Sequence, residues 1–346
     1  MSTPLQQPIG ESKLEPLVET PCTVCGAGEH RTIAPAADLD AQRRYLVEFH
    51  RRRLRTRSDQ ALEDRADFTQ NYATDVVACR TCGLVFRDPR PPAEQIARAY
   101  ASDTYGEERL RALFDSQLEL FRPKARNLRR WLSRPDPVLV EIGSFVGGFL
   151  AASRELGWDA HGIDPGSEVA AFCEARGLSV LRESVDDLSF PEAAADCVAI
   201  WNTFDQLVDP HPTLRSARRC LRAGGLLVVR VPNGRCFEGC MSLLGRLGAP
   251  LRGVLLAAMA WNNLVTFPYL HGYSVDTLDR LMAEYGFVRV QVEGDVLTRL
   301  ADEQTKTWAA WEERILKALW ALASRADPSS IAARAAWLDV YYRIDK

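Results

Sequence analysis

From residue 138 onward, short apolar runs alternate with segments whose apolar positions recur every three or four residues. The first run, Val138 to Ile142, carries Glu141 near its end and passes through a glycine-rich turn into a helical pattern from Gly148 to Leu156. The alternation then repeats as strand (Ala160 to Asp164), helix (Ser167 to Arg176) and short strand (Ser179 to Leu181). A buried strand, "ADCVAIWN", a helix, "HPTLRSARRCLRAGG", that ends at Gly224 and Gly225, and a second buried strand, "LLVVRVPN", complete it. Runs that are apolar on both faces and alternate with helices predict an α/β fold with a parallel, doubly wound sheet.

Outside this region the patterns differ. Glu107 to Trp131 sets Leu110, Leu113, Phe114, Leu118, Phe121 and Leu128 at mostly helical spacing, with a kink or break expected at Pro123. Val254 to Trp261 is apolar on every side but too short to span a bilayer. It reads as a lid helix over the active site, the alternatives being a greasy acceptor pocket or peripheral membrane contact through residues 254–267. In "TWAAWEERILKALWALASRA" a stripe of Trp308, Trp311, Ile315, Leu319 and Leu322 reads as packing or as a homodimer face, as does the strand-like "WLDVYYR". The predicted organisation is a flexible tail (1–20), a cysteine module with a helical insertion (21–90), a helical connector (91–135), a ligand-binding domain (136–300) and a helix and strand extension (301–346).

Charge removes some partners. A net charge of −3 over 346 residues provides no global attraction to nucleic acid or to an anionic membrane, so partners of either kind would need a local patch. The first twenty residues lack a continuous apolar core, which argues against a signal peptide or transmembrane segment. Nine cysteines without an export signal predict a reducing, cytoplasmic setting, where paired cysteines bind metal more often than they form disulfides. "PCTVCG" and "ACRTCG" place Cys22 and Cys25, then Cys79 and Cys82, as two C-x-x-C-G knuckles. Together they predict a closed, structural four-thiolate zinc site in a zinc-ribbon-like module, the alternatives being redox-active pairs or free thiols. Between them, Arg43, Arg44, Arg51, Arg52, Arg53, Arg55 and Arg57 surround Leu46 and Phe49 on one helix. That helix is either a solvated one, balanced by the acids that follow, or a dock for an anionic group.

The chemistry is placed by the strand ends, where ligands bind in such sheets. A dinucleotide turn starting at Gly143 needs glycine at position 145, where this chain has Phe145, and Glu141 would repel a pyrophosphate. Asp164 lies about twenty residues beyond Gly143, the distance at which a carboxylate receives ribose hydroxyls. Val185, Asp186 and Asp187 are placed to flank an adenine ring, and Trp201, Asn202 and Thr203 end the fourth strand. A ligand with a ribose, no phosphate and positive charge near the turn satisfies these positions, as S-adenosylmethionine does.

These motifs resemble class I S-adenosylmethionine-dependent methyltransferases with an N-terminal zinc-binding module. The resemblance is carried by "EIGSFVGGF", "GIDPG", "FDQLVDP", "LRAGGLLVVRVPN", "FPYLHGYSVDTLDRLMAEYGF", "CTVCG" and "CRTCGLVFRDPRP", in that family's order over roughly residues 20 to 295. It implies a Rossmann-like sheet whose cofactor contacts are Glu141, Gly143, Ser144, Phe145, Gly147, Asp164, Pro165, Val185, Asp186, Trp201 and Asn202. Gly143 and Gly147 would let the methionine part approach the backbone, Asp164 would hold the ribose, and Val185 and Asp186 would touch adenine. This chain departs from the family at Phe145, in place of the middle glycine, and at Asp205 and Gln206, where relatives often have an acid followed by histidine.

A base is needed only for a poorly acidic acceptor, and the candidates are His271, Tyr273 and Asp205. The leading expectation is methyl transfer to a small molecule of sugar, lipid or secondary metabolism. RNA methylation is disfavoured by the charge balance, and a non-catalytic binding protein on the same fold is the remaining alternative.

Overall fold

The computed structural model describes residues 16–56, 58, 59, 62, 74–102, 105–184, 189–297, 302, 304–325 and 328–344. They fall into two compact units. The first comprises Met1–Pro92, Val231–Leu278 and Val292–Asp339, and the second Ala93–Arg230, Asp279–Gln291 and Val340–Lys346.

The first unit holds a four-stranded sheet of β1 (His30–Ala34), β2 (Val76–Cys79), β3 (Val85–Arg87) and, from far along the chain, β9 (His271–Gly272). All three pairings are antiparallel. The arginine-rich insertion is a helix, Ala36–Arg53, that buries Leu39, Leu46, Phe49 and His50. Trp261, at the end of the apolar helix Ala249–Trp261, packs edge-on to Phe49 with ring centres 5.1 Å apart. Much of the basic charge is paired locally: Arg51 and Arg52 bond Glu48, and Arg53 makes a two-pronged ion pair with Glu312. The described part of this helix thus has the features of a solvated, balanced one, while Arg57 lies outside the described residues.

The second unit is built on the other sheet. Its strands are β4 (Val138–Ile142), β5 (Asp159–Ile163), β6 (Ser179–Leu181), β7 (Ala195–Trp201), β8 (Leu221–Pro232), β10 (Phe287–Asp295) and β11 (Trp337–Ile344), in the order β10-β11-β8-β7-β4-β5-β6. The pairs β4 with β5, β5 with β6, β4 with β7 and β7 with β8 are parallel. From β4 the chain steps outward to β5 and β6, then returns to the other side for β7 and β8. This is the doubly wound, Rossmann-like α/β sheet that the alternation predicts, with its switch point between β4 and β7.

Three details refine the sequence expectation. One unbroken helix, Glu107–Leu128, runs through Pro123, because that ring sits on the exposed side while Leu110, Phe121, Ala125 and Leu128 anchor both halves. The helix Pro210–Cys220 stops before its two glycines, and Leu221 already begins β8. "WLDVYYR" is an interior strand of the sheet, between β8 and β10, as its reading as a packing element expects.

Candidate functional site

The switch point gathers most of the predicted cofactor residues. β4 delivers Glu141 to the sheet's carboxyl edge, in register with Gly162 of β5 and Ala199 of β7. The turn that follows is fastened to β5, since the N–H groups of Gly143 and Ser144 both donate to the Ile163 carbonyl at 2.8 and 3.1 Å. Gly143 has φ +73°, and a Cβ there would come within 2.3 Å of Thr203 Oγ1, so only glycine fits. At Gly148, which opens the helix Gly148–Arg154, a Cβ would meet the Gln117 Cβ at 2.4 Å, because the long helix Glu107–Leu128 crosses there. Ring contacts among Phe121, Phe149 and Trp201, with centres 5.4 to 5.7 Å apart, tie these helices to the end of β7.

Phe145 stands in the left-handed region at φ +45°. Its N–H donates to Asp164 Oδ2 at 2.9 Å, and its ring lies edge-on to Tyr105 with centres 5.1 Å apart. The other Asp164 oxygen accepts from the N–H of Gly166 at 2.9 Å. One carboxylate therefore joins the turns after β4 and β5. Pro165, next to it, is half-buried. Tyr105 is held in turn by Glu168, whose two oxygens accept from the N–H groups of Tyr105 and Gly106 at 2.7 and 2.8 Å.

Glu141 is the electrostatic centre of the site. It is buried, and its Oε2 has no hydrogen-bond partner among the described residues. Burial, and secondarily the charge of Asp164, raises its carboxyl well above the usual range. The hydroxyl of Ser144 and the indole N–H of Trp201 are likewise buried without a described partner. Such groups cost stability unless something polar meets them. Asn202, at φ +54°, accepts from Gln206 through its carbonyl and from Arg230 through its side-chain oxygen. Val185, Asp186 and Asp187 lie outside the described residues.

The base candidates divide between the units. Asp205 belongs to the second unit, within a short 3-10 turn after β7. It is buried, Oδ1 has no described partner, and burial pushes its carboxyl up to about 8. Gln206 beside it accepts from the Tyr100 hydroxyl at 2.8 Å. His271 and Tyr273 belong to the first unit, both fully buried with rings 5.6 Å apart. His271 Nε2 lies 3.1 Å from Arg90 Nη1. A guanidinium only donates, so Nε2 accepts and the ring carries its proton on Nδ1.

The four predicted metal ligands also converge. Cys22 and Cys25 come from the loop before β1, Cys79 ends β2, and Cys82 lies in the turn to β3. Their Sγ atoms all lie within 4.8 Å of one another, with Cys22 to Cys82 at 3.4 Å and Cys25 to Cys79 at 3.5 Å. The knuckle glycines Gly26 and Gly83 have φ +71° and +80°. A tetrahedron of thiolates about 2.3 Å from a zinc ion needs this donor set and close to this spacing. A hydrogen bond between Cys22 and Cys82 raises the Cys22 thiol above its ordinary range and lowers Cys82 to about 5.

Sequence reasoning did not find Glu168 or Arg230, which support the site across separations of 62 or 63 and 28 residues. No local pattern marks such pairs.

A family model described as a methyltransferase domain matches residues 105–292, more than half of the chain. An uncharacterised Methanocaldococcus jannaschii protein, MJ1123, is 26% identical over 139 residues, which is 40% of this chain. The match spans 64% of that protein, less than two thirds of its length. Among solved structures, the complex of the Haloferax volcanii Trm112 methyltransferase activator with a methyltransferase aligns at 19% identity and TM-score 0.47, covering 72% of this chain and 97% of that one. Geranyl diphosphate C-methyltransferase from Streptomyces coelicolor, bound to geranyl diphosphate and S-adenosyl-L-homocysteine, aligns at 18% identity and TM-score 0.41, covering 72% and 87%.

Proposed function

The chain belongs to the methyltransferase domain family, and from that premise we propose that it transfers a methyl group from S-adenosylmethionine to a small-molecule acceptor of sugar, lipid or secondary metabolism. The observation that carries this reading is the pair of carboxylates Glu141 and Asp164 at the ends of adjacent parallel strands, with Glu141 Oε2 lacking a described partner. A cationic methionine part supplies what that oxygen lacks, and a ligand ammonium would draw the raised Glu141 carboxyl back toward its charged form.

We assign the residue roles from the family resemblance, and their place at the strand ends supports the assignment. Gly143, Ser144 and Gly147 bring backbone close to the methionine part, Phe145 walls it, and Asp164 receives the ribose hydroxyls beside Pro165. Trp201 and Asn202 close the side at β7, and Val185 and Asp186 are assigned to adenine by resemblance. When bound, the cofactor supplies an electrophilic methyl group, and the chain's part is to hold the acceptor in line and exclude water. Such positioning contributes on the order of 7 to 11 kcal/mol. Asp205 is the base of choice among the three candidates, because burial raises its carboxyl into the range where it takes up a proton near neutrality. His271, with Nε2 facing Arg90, is assigned with Tyr273 to supporting the first unit. The four cysteines are assigned to structural zinc.

Calorimetry with S-adenosylmethionine and S-adenosylhomocysteine tests the reading. One site per chain is expected, and a folded sample that binds neither would favour a non-catalytic binding protein. Mass spectrometry of metabolites incubated with methyl-labelled cofactor then identifies the acceptor.

Asp205→Asn is expected to remove a pH dependence in both rate and stability. The unfolded chain loses this proton near pH 4, whereas the folded protein keeps it to about pH 8. Between these values the folded state holds the extra proton, so stability falls as pH rises. Glu141 shifts in the same direction. Urea midpoints at several pH values should show a flatter decline in Asp205→Asn, and turnover should lose its rise through about pH 8. An unchanged turnover profile would remove Asp205 as the base.

Phe145→Gly is expected to weaken cofactor binding several-fold while leaving stability nearly level. Relief of a left-handed non-glycine residue gains about 1 to 2 kcal/mol, and loss of the Tyr105 ring pair costs about 0.5 to 1.5 kcal/mol. Unchanged affinity would show that Phe145 does not wall the cofactor.

A further inference from the structure

The tryptophan stripe, which the sequence reads as packing or as a homodimer face, is turned outward. In the helix Thr307–Ser324 the side turned inward carries Ala309, Glu313, Lys317 and Ser324. Trp308, Trp311, Ile315, Leu319 and Leu322 are each more than half exposed, from 51% at Trp308 to 69% at Leu322. The helix packs on Ala249–Trp261, also of the first unit, where Leu251 and Val254 are exposed as well. Seven large apolar side chains are thus exposed on two packed helices, a concentration that marks an interaction surface.

The charges around this patch are mostly positive, although Asp302, four positions before Lys306, is exposed as well. Both acids of the helix Thr307–Ser324 are engaged elsewhere: Glu312 receives Arg53 and the Trp261 indole, and Glu313 is buried against Lys317. The helix Ala249–Trp261 contains no acid, and its Arg252 is exposed. Arg314 is exposed and lies over the Trp311 ring at 5.2 Å. At the start of the stripe an open groove of about 590 Å³ is lined by Arg55, Lys306, Thr307, Trp308 and Trp311. Cations beside tryptophans, continuing into aliphatic side chains, suit the boundary between lipid headgroups and acyl chains.

We propose that this face of the first unit docks on a membrane surface that carries anionic lipids. Among the described residues no helix is long and apolar enough to cross a membrane, so the contact is a helix lying in the interface. Charge favours this occupant over a second copy, because a two-fold contact across the stripe would place a patch with more cations than acids against itself. Single-stranded RNA would use the tryptophans and arginines but leave Ile315, Leu319 and Leu322 uncovered. The proposal stands independently of the methyl-transfer reading.

Flotation of the full chain with vesicles tests it. Vesicles of phosphatidylcholine with about one third phosphatidylglycerol are expected to carry the chain, and pure phosphatidylcholine to carry at least about 25-fold less, since it removes the attraction of two or more cations. Trp311→Ser with Leu319→Ser, both at exposed positions, should lower partitioning about tenfold. Arg252→Gln with Arg314→Gln should lower it at about fivefold per cation, with thermal unfolding unchanged in both variants. Failure to float, or equal recovery with both vesicle types, would overturn the proposal. So would a dimer in solution that the Trp311 and Leu319 changes dissolve, or RNA binding in place of vesicle binding.

Discussion

Asp164→Ala is expected to lower affinity for S-adenosylmethionine by two to three orders of magnitude. A carboxylate that receives both ribose hydroxyls makes two charge-assisted hydrogen bonds, each contributing about 1.5 to 3 kcal/mol. Part of that is offset because the emptied space admits water, which brings the net loss to about 3 to 4 kcal/mol, or a factor of 10² to 10³. Asp164 also holds the N–H groups of Phe145 and Gly166, so its removal loosens both walls of the site together. Asp164→Asn retains one acceptor oxygen but turns an NH2 group toward the other backbone N–H, and should fall between parent and Ala. Calorimetry measures the affinity, and urea unfolding shows whether the second unit still folds. Binding of Asp164→Ala within about threefold of the parent would remove the ribose role and, with it, the assignment of the β5 end to the cofactor.

Much of this site is legible in the sequence because it is local. Glu141, Gly143 and Gly147 lie within seven positions on one strand, turn and helix, and the apolar runs on either side fix the turn at a strand's carboxyl end. The two C-x-x-C-G knuckles are equally self-contained. What escaped depends on partners distant in sequence. Phe145 looked like an unexplained departure, and its explanation is Tyr105, forty positions earlier, together with the Asp164 carboxylate that fixes its backbone. His271 reads as a base in isolation, yet Arg90, 181 positions away, occupies its Nε2. Helical spacing correctly groups Trp308, Trp311, Ile315, Leu319 and Leu322 on one face, but spacing cannot say whether a neighbour covers that face. Here the small residue Ala309 and the Glu313–Lys317 pair turn inward instead. The same limit applies to the first unit, whose strand β9 comes from a segment almost two hundred residues beyond β2 and β3.

The second large effect is expected from the cysteines. Treatment of the protein with a strong zinc chelator, or Cys79→Ser, should remove one zinc per chain and unfold the small sheet of the first unit. The longest strand of that sheet has five residues, and β3 and β9 have three and two. Strands so short stabilise one another weakly, and a sheet of this size ordinarily requires a cross-link or a metal. Cys79 ends β2, and its N–H donates to the Leu84 carbonyl, which closes the hairpin turn that holds Cys82. Cys22 and Cys25, which precede Cys79 by 54 positions or more, are tied to the hairpin through sulfur. Bound zinc contributes about 10 to 16 kcal/mol to the folding of small metal modules near neutral pH. Even after the cores of both units offset part of its loss, a drop of about 3 kcal/mol or more is expected. Cys240→Ala is the matched control, since Cys240 is buried in the apolar core away from the four-sulfur cluster. It should keep its zinc and lose about 1 kcal/mol. Metal analysis beside urea unfolding separates the cases: a parent protein without zinc, whose four module thiols titrate freely while the sheet stays folded, would overturn the structural-zinc assignment.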